Sequence, residues 1–234
     1  MTPSPRIIVS HPTGNTFVRA VIEELDSLGQ LERFYTTIGI GKEANSLTRI
    51  LASRRKYSIP DSRISRQWFP EACRLLPLGQ CCQEQRRRRV DQSYESLDLK
   101  VAKALHRHPG FSLHAYEDGA AESFRIAKEL GIRRSYEMPI AHWTTVRRLL
   151  AEEAERLPDW EPTLESTREP EHKLVRKETE LYLADCITCP SEFVLRSIPK
   201  KVRAMKPCQV APFGSPPSSS PAENASKRRS KGPL

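Results

Sequence analysis

A single Rossmann-like α/β domain, with a mostly parallel sheet flanked by helices, is the fold class this sequence predicts, and three observations predict it. Short apolar runs rich in β-branched residues alternate with longer stretches of helical spacing. Arg6-Ile-Ile-Val-Ser10 followed by Phe17, Val18, Val21, Ile22, Leu25 and Leu28 is the first such pair. Glycines fall where helices must stop, at Gly29 and Gly131. Polar turn residues follow the strand-like runs, as in His11-Pro12-Thr13-Gly14-Asn15, Glu117-Asp118 and Glu137. In an open α/β sheet, ligands bind in the crevice beyond the carboxyl ends of the strands, so these turns are where function is sought.

The chain has 234 residues, room for one generous domain and a tail. Its 38 basic and 29 acidic side chains give a net charge of +9, which points to anionic partners: phosphates, nucleic acid or an acidic membrane surface. No apolar run approaches the roughly 20 residues needed to cross a bilayer. The start, Met1 to Arg6, lacks the apolar core of a signal peptide, so a cytoplasmic location is expected. Six cysteines are too few and too scattered for a secreted disulfide framework. Cys186-Ile-Thr-Cys189 has the spacing of a redox or zinc pair, but it lies in a strand-like segment without a second pair, and no metal site is expected. Cys81-Cys82 reads as an incidental loop feature.

Taken in order, Leu31 to Ile38 supplies the strand that closes a first βαβ unit. The small and polar residues of the His11 to Asn15 turn let backbone N–H groups at a helix start approach an oxyanion or a sugar hydroxyl. One glycine is not a GxGxxG fingerprint, so an ordinary capped turn fits equally well. From Gly39 to Val90 the pattern is weaker, with amphipathic pieces at Ala44 to Leu51 and Trp68 to Leu78. Within 54–89, Arg54, Arg55, Lys56, Arg63, Arg66, Arg74 and Arg86 to Arg89 stand against Asp61, Glu71 and Glu84. No aromatic-interleaved sheet, helix-turn-helix or metal finger accompanies them, so a solvated basic face is expected and nucleic acid is not the expected partner.

Ser93 to His106 reads as a helix, Phe111 to Ala115 as a strand, and Gly119 to Leu130 as a helix. Asp118 as a helix cap and Glu117 at the helix's positive end is the plain reading of that turn. It gains a functional meaning because the next strand, Ile132 to Met138, also ends in polar residues. Glu117 and Asp118 with Glu137 and His142 then bring carboxylates and an imidazole to one rim, although His142 also suits a helix cap. A helix over Trp143 to Leu157, a linker Asp159 to Pro170 and a helix Glu171 to Ala184 follow. Cys186 to Cys189 is a strand, Ser191 to Ser197 a short capped helix, and Gln209 to Ala211 a last strand. Residues 215–234, rich in Ser, Pro, Lys and Arg, cannot bury enough apolar area to order themselves. The expected division is therefore a domain over 1–214 and a disordered basic tail over 215–234.

Two passages carry a family resemblance. Lys177 to Phe193, with Ala184-Asp185, a strand and Pro190-Ser191, and Val210-Ala211-Pro212-Phe213-Gly214 resemble the amino-terminal domain of glycosyltransferase family 4, over about residues 6–214. That family comprises retaining enzymes built from two facing Rossmann-like domains, the GT-B architecture. The resemblance implies transfer of a sugar from a nucleotide sugar to a glycan or lipid-linked acceptor. It implies catalytic positions at Tyr116, Glu117 and Asp118, and substrate-binding positions at His11, Thr13, Gly14, Asn15, Glu137 and His142. Tyr116 stands where many members have a histidine close to the transferred sugar. The donor is held in the family mainly by the carboxyl-terminal domain, through a basic residue and a glutamate pair that this sequence lacks. The nucleotide sugar is therefore expected as a substrate only when a separate donor-binding domain supplies its grip, with no tightly bound cofactor and little activity from this chain alone. The basic region 54–89 would rest peripherally on a membrane presenting the acceptor. A basic α/β module for nucleic acid or phosphorylated ligands is the competing reading, with Arg86 to Arg89 and the tail supplying charge.

Overall fold

The structure, a computed structural model, describes residues 6–43, 55–75, 83–108 and 110–214. The expectations for Ala44 to Leu51, Arg54, residues 76–78, Cys81-Cys82 and the 215–234 tail lie outside the described residues.

Strand β1 (Ile7–Ser10), helix α1 (Thr16–Ser27) and β2 (Leu31–Thr36) form the expected first unit. Then come β3 (Ile64–Arg66), α2 (Trp68–Leu75), α3 (Gln83–Leu105), β4 (Ser112–Tyr116), α4 (Ala121–Glu129) and β5 (Arg134–Glu137). The chain continues through α5 (Trp143–Arg156), α6 (Glu171–Leu183), β6 (Cys186–Cys189), α7 (Glu192–Ser197), α8 (Lys200–Met205) and β7 (Cys208–Val210). The seven strands form one parallel sheet in the order β3-β2-β1-β4-β5-β6-β7. Strand order reverses between β1 and β4, which creates the crevice typical of doubly wound sheets.

Three features depart from the sequence reading. Strand β3 is too short, at three residues, to register as a periodic run. Helix α3 begins ten residues before the expected Ser93, because Gln83 to Arg89 has good helix formers but no apolar stripe to mark it. The expected 159–170 linker is wound into two 3-10 turns, Pro158–Thr163 and Glu165–Arg168.

The two faces of the sheet are covered unequally. Ile8, Leu113, Ala115, Tyr136 and Ile187 face one side, where α3, α4, α6, α7 and α8 bury them with Leu105, Phe124, Leu181, Val194 and Val202. On the other side, Val9, Phe34 and Ile64 pack under Val18 and Ile22 of α1 and under Tyr57 and Ile59. That second cover reaches only the β1 to β3 half. Cys186 and Cys189, three apart in a strand, accordingly point to opposite faces and are free thiols.

Many of the arginines expected on a solvated basic face are instead joined to the fold. Glu71 on α2, 2% exposed, accepts from Arg55 at 2.6 Å, from Arg74 in a two-pronged contact at 2.7 Å, and from Ser93 Oγ at 3.1 Å. Arg66 binds Asp61 and the Gly39 carbonyl, and Arg63 reaches the Leu31 carbonyl. Burial alone would raise the Glu71 carboxyl, but the bonds from Arg74 and Arg55 outweigh it and hold the group at about 2. Its contribution is therefore complete above the ordinary value of 4.5 and fades as pH falls towards 2. Glu71→Gln leaves two guanidinium groups without their counter-charge and should cost about 3 kcal/mol at neutral pH. Urea unfolding at pH 7 and at about pH 3 checks this: the gap between variant and parent should shrink at the lower pH.

Candidate functional site at the strand tips

The turn after β1 is built around the imidazole of His11. Its Nδ1 accepts from the N–H groups of Thr13 (3.1 Å) and Gly14 (2.7 Å), so this turn satisfies its own donors rather than leaving them for an anion. Burial, with the neighbouring His114 adding to it, lowers the His11 imidazole to about 4, which keeps Nδ1 an acceptor at neutral pH. Asn15 caps α1 through a bond from Val18 N–H at 3.0 Å. Gly14 sits at φ +55°, and a Cβ there would overlap the Tyr57 ring and hydroxyl. Tyr57 in turn donates to the Thr13 carbonyl at 3.3 Å.

Tyr116, at the tip of β4, is buried with its ring edge-on between His11 (centroids 4.7 Å apart) and His114 (5.1 Å). Burial and the Glu137 carboxylate raise its phenol well above the ordinary tyrosine value, so it remains a neutral hydroxyl. Glu137 is its partner in the β4–β5 register. Burial raises the Glu137 carboxyl to about 7, which lets it hold or release a proton near neutral pH. Asn15, His114, Tyr116 and Glu137 line a common groove of about 1000 Å³ over the uncovered half of the sheet. Thr188 lies along it, and Phe213, stacked on Phe17 at 4.0 Å, stands at its edge.

Glu117 and Asp118 turn the other way, towards α6. Asp118 takes a left-handed backbone, φ 75°, and so does not cap α4 as the sequence suggested. That role falls to Asp98 on α3, which accepts from the N–H groups of Glu122 (2.7 Å) and Ser123 (2.9 Å). The turn itself is held by Glu180 of α6, fully buried, which accepts from Asp118 N–H and Ala120 N–H, both at 2.9 Å, and from the Tyr136 hydroxyl at 3.2 Å. The Asp118 carboxylate meets Lys173 at 3.3 Å and Lys177 at 4.0 Å, and both lysines also contact Glu169. Burial raises the Glu117 carboxyl to about 8, outweighing the pull of Lys177 4.0 Å away.

His142 starts α5 with its ring buried, Nδ1 at 2.8 Å from Thr144 Oγ1 and Nε2 at 2.8 Å from Glu178. Burial lowers its imidazole, so it serves as a neutral helix cap packed beside Glu178. The structure thus brings Asn15, Tyr116 and Glu137 together in the groove, with His11 packed against Tyr116, and Glu117 and Asp118 together on the α6 side. Sequence reasoning left out Lys173 and Glu180, although 173, 177 and 180 have the spacing of one helix face. It also passed over Asp98. No group of His, Cys, Asp and Glu able to hold a metal occurs among the described residues.

This topology defines a fold class: the sheet has the fold of one lobe of the two-lobed GT-B architecture. Among solved structures, TcCGT1 in complex with UDP matches with a TM-score of 0.56 and 13% identity over 96% of this chain and 55% of that one. Arabidopsis thaliana UGT89C1 complexed with UDP-L-rhamnose matches with a TM-score of 0.54 and 12% identity over 100% of this chain and 56% of that one. The chain therefore spans about half the length of the structures it matches. One of these holds UDP and the other UDP-L-rhamnose, and the likeness shows the GT-B fold without singling out family 4. No family model and no curated protein matches the sequence. No helix among the described residues is long and apolar enough to cross a membrane.

Two consequences of this geometry are measurable. Between its ordinary value of 4.5 and about 8, Glu117 is protonated in the folded chain and ionised in the unfolded one, so folding stability falls as pH rises through that window. Glu117→Gln cannot ionise, and Glu180 titrates alike in both proteins. The melting temperature of the variant relative to the parent should therefore climb between about pH 5 and about pH 8, and a constant difference would refute the assignment. Gly14→Ala adds a left-handed non-glycine cost of about 1–2 kcal/mol to the displacement of Tyr57. Chemical denaturation should show a loss exceeding that of Gly29→Ala, which shares the positive φ but has open space around it.

Proposed function

We propose that residues 6–214 form the acceptor-side lobe of a family 4 type glycosyltransferase. It would transfer a sugar from a nucleotide sugar, with retention of configuration, to a glycan or lipid-linked acceptor. The observation that carries this reading is that Tyr116 and Glu137, at the tips of two adjacent parallel strands, line one groove together with Asn15, with His11 packed edge-on against Tyr116, in a lobe of GT-B fold. Sugar recognition calls for a few fixed polar groups beside an apolar wall, and the groove combines those groups with Phe17, Val21 and Phe213.

In this proposal Tyr116 donates its neutral hydroxyl to an acceptor or sugar oxygen, and Glu137 takes up or shares the proton of an acceptor hydroxyl. Thr13, Gly14 and Asn15 fix the height of the wall beside them. Glu117 and Asp118 are positioning residues that set the β4 turn through Lys173, Lys177 and Glu180. His142 acts at one remove, by anchoring α5. The leaving diphosphate requires opposing charge that the lobe does not present at this rim, so a separate donor-binding lobe completes the enzyme.

Saturation-transfer NMR against a panel of mono- and oligosaccharides tests the reading. At least one sugar should bind at about 1 mM or tighter, and the signal should weaken at least several-fold in Glu137→Gln and Tyr116→Phe. Absence of any sugar contact, or binding indifferent to both substitutions, would overturn it. The purified 234-residue chain should show no turnover with nucleotide sugars alone.

A further inference from the structure

We propose that the groove between α3 and the flank of β2 and β3 is a second binding site on this domain, for a small ligand carrying phosphate groups. A cavity of about 600 Å³ lies there, on the opposite sheet face from the groove of the strand tips. Arg33, Lys100, Lys103, Arg107 and His108 line it, and no Asp or Glu does. This sets it apart from the arginines of region 55–88, which are largely matched to Glu71, Asp61 and Glu84. The side chains of Lys103 and Arg107 have no hydrogen-bond or ion-pair partner among the described residues. Glu32, the carboxylate beside the groove, is shared by Arg6 (3.0 Å) and His108 (3.6 Å).

The second observation is Tyr35. It is 3% exposed and belongs to the core, yet it lines this cavity and its hydroxyl makes no hydrogen bond within the described protein. The hydroxyl opens into the cavity rather than being spent on a protein partner, so a ligand oxygen entering there meets an unengaged donor. Burial raises the Tyr35 phenol while the charges of Arg33 and Arg107 pull it down, which places both guanidinium groups within electrostatic reach of it. A phenol donor ringed by guanidinium and ammonium donors suits the several acceptor oxygens of a phosphate or diphosphate. The volume matches one small ligand rather than an extended polymer backbone, which would need a basic track beyond the cavity. The site does not rest on the transferase reading, since it shares no residue with the strand-tip rim.

Isothermal titration of the full chain with sodium pyrophosphate is the test. One saturable site is expected, weakened at least about tenfold in a Lys103→Ala/Arg107→Ala variant and several-fold in Tyr35→Phe. Arg86→Ala/Arg88→Ala, which carries the same charge change elsewhere on the surface, should bind like the parent. No saturable binding, or binding that survives loss of Lys103 and Arg107, or equal loss in the Arg86 and Arg88 variant, would overturn the proposal. Co-flotation with phosphatidylcholine vesicles containing phosphatidylglycerol then separates the sources. Flotation that requires Lys103 and Arg107 identifies a lipid headgroup, and pyrophosphate binding without flotation identifies a free ligand. Salt-sensitive binding of single-stranded DNA through these residues, without pyrophosphate binding, would replace the proposal with a nucleic-acid site.

Discussion

One buried carboxyl group, that of Glu180, fixes the shape of the strand-tip rim. The backbone leaves β4 through a left-handed residue at Asp118, a conformation that costs a non-glycine side chain about 1–2 kcal/mol. What offsets the cost is the pair of N–H groups, of Asp118 and Ala120, that this turn aims at Glu180. Since Glu180 comes from α6, the β4 turn cannot settle until α6 has docked. Tyr136 ties the neighbouring β5 to the same carboxyl, so two adjacent strand tips are set by one side chain. Lys206 holds the same last turn of α6 by donating to the carbonyls of Leu181, Tyr182 and Ala184, at 2.7–2.9 Å. The turn that carries Glu180 is thereby fixed from both sides, and the rim takes its height from it.

The unequal covering of the sheet turns that rim into a groove. With the helices α3, α4, α6, α7 and α8 drawn to one face, alternate residues of β4, β5 and β6 look out over open space on the other. Those residues are His114, Ser135, Glu137, Cys186 and Thr188. A fully covered parallel sheet reads as near-continuous apolar runs. Here the alternation of polar and apolar residues in Ser-Leu-His-Ala-Tyr and Cys-Ile-Thr-Cys records one covered face and one open one. The polar face is thus written in the strands themselves, not only in the turns after them.

What the sequence makes legible follows the range of the interactions involved. Strands β1, β4, β5 and β6 and their helices are visible because burial of a face imposes a period on residues close together in the chain. The same holds for the Asn15 and Ser191 caps, whose bonds span three residues. The site is only half legible. His11, Tyr116 and Glu137 can be found as strand-end polar residues, but the direction in which each side chain turns depends on partners far along the chain. Asp118 looks like a cap because Asp at such a position usually is one. It is displaced from that role by Asp98, twenty residues earlier, whose carboxyl takes the free N–H groups of Glu122 and Ser123 at the start of α4. The strand β3 and the first ten residues of α3 carry no apolar stripe, and nothing local distinguishes them from loop.

The net charge of +9 likewise dissolves into separate populations once the partners are known. Arg55 and Arg74 clamp Glu71, Arg66 holds Asp61, and Arg134 grips Asp185 and the Leu183 carbonyl at the base of the sheet. These are structural arginines, chosen for a planar fork that serves several acceptors at once. Lys173 and Lys177 neutralise the carboxylates behind the β4 turn, so their charge is absorbed within a few ångströms. A surplus left after such pairing is where an anionic partner has something to gain, because a matched cation must give up one counter-charge to take another. Lys103 and Arg107, in a cavity whose lining has no carboxylate, are one such surplus among the described residues, and they lie outside the arginine-rich stretch that dominates the composition. Charge density along a sequence is therefore a poor guide to charge available on a surface, and the carboxylates that arrive from elsewhere in the fold decide the difference.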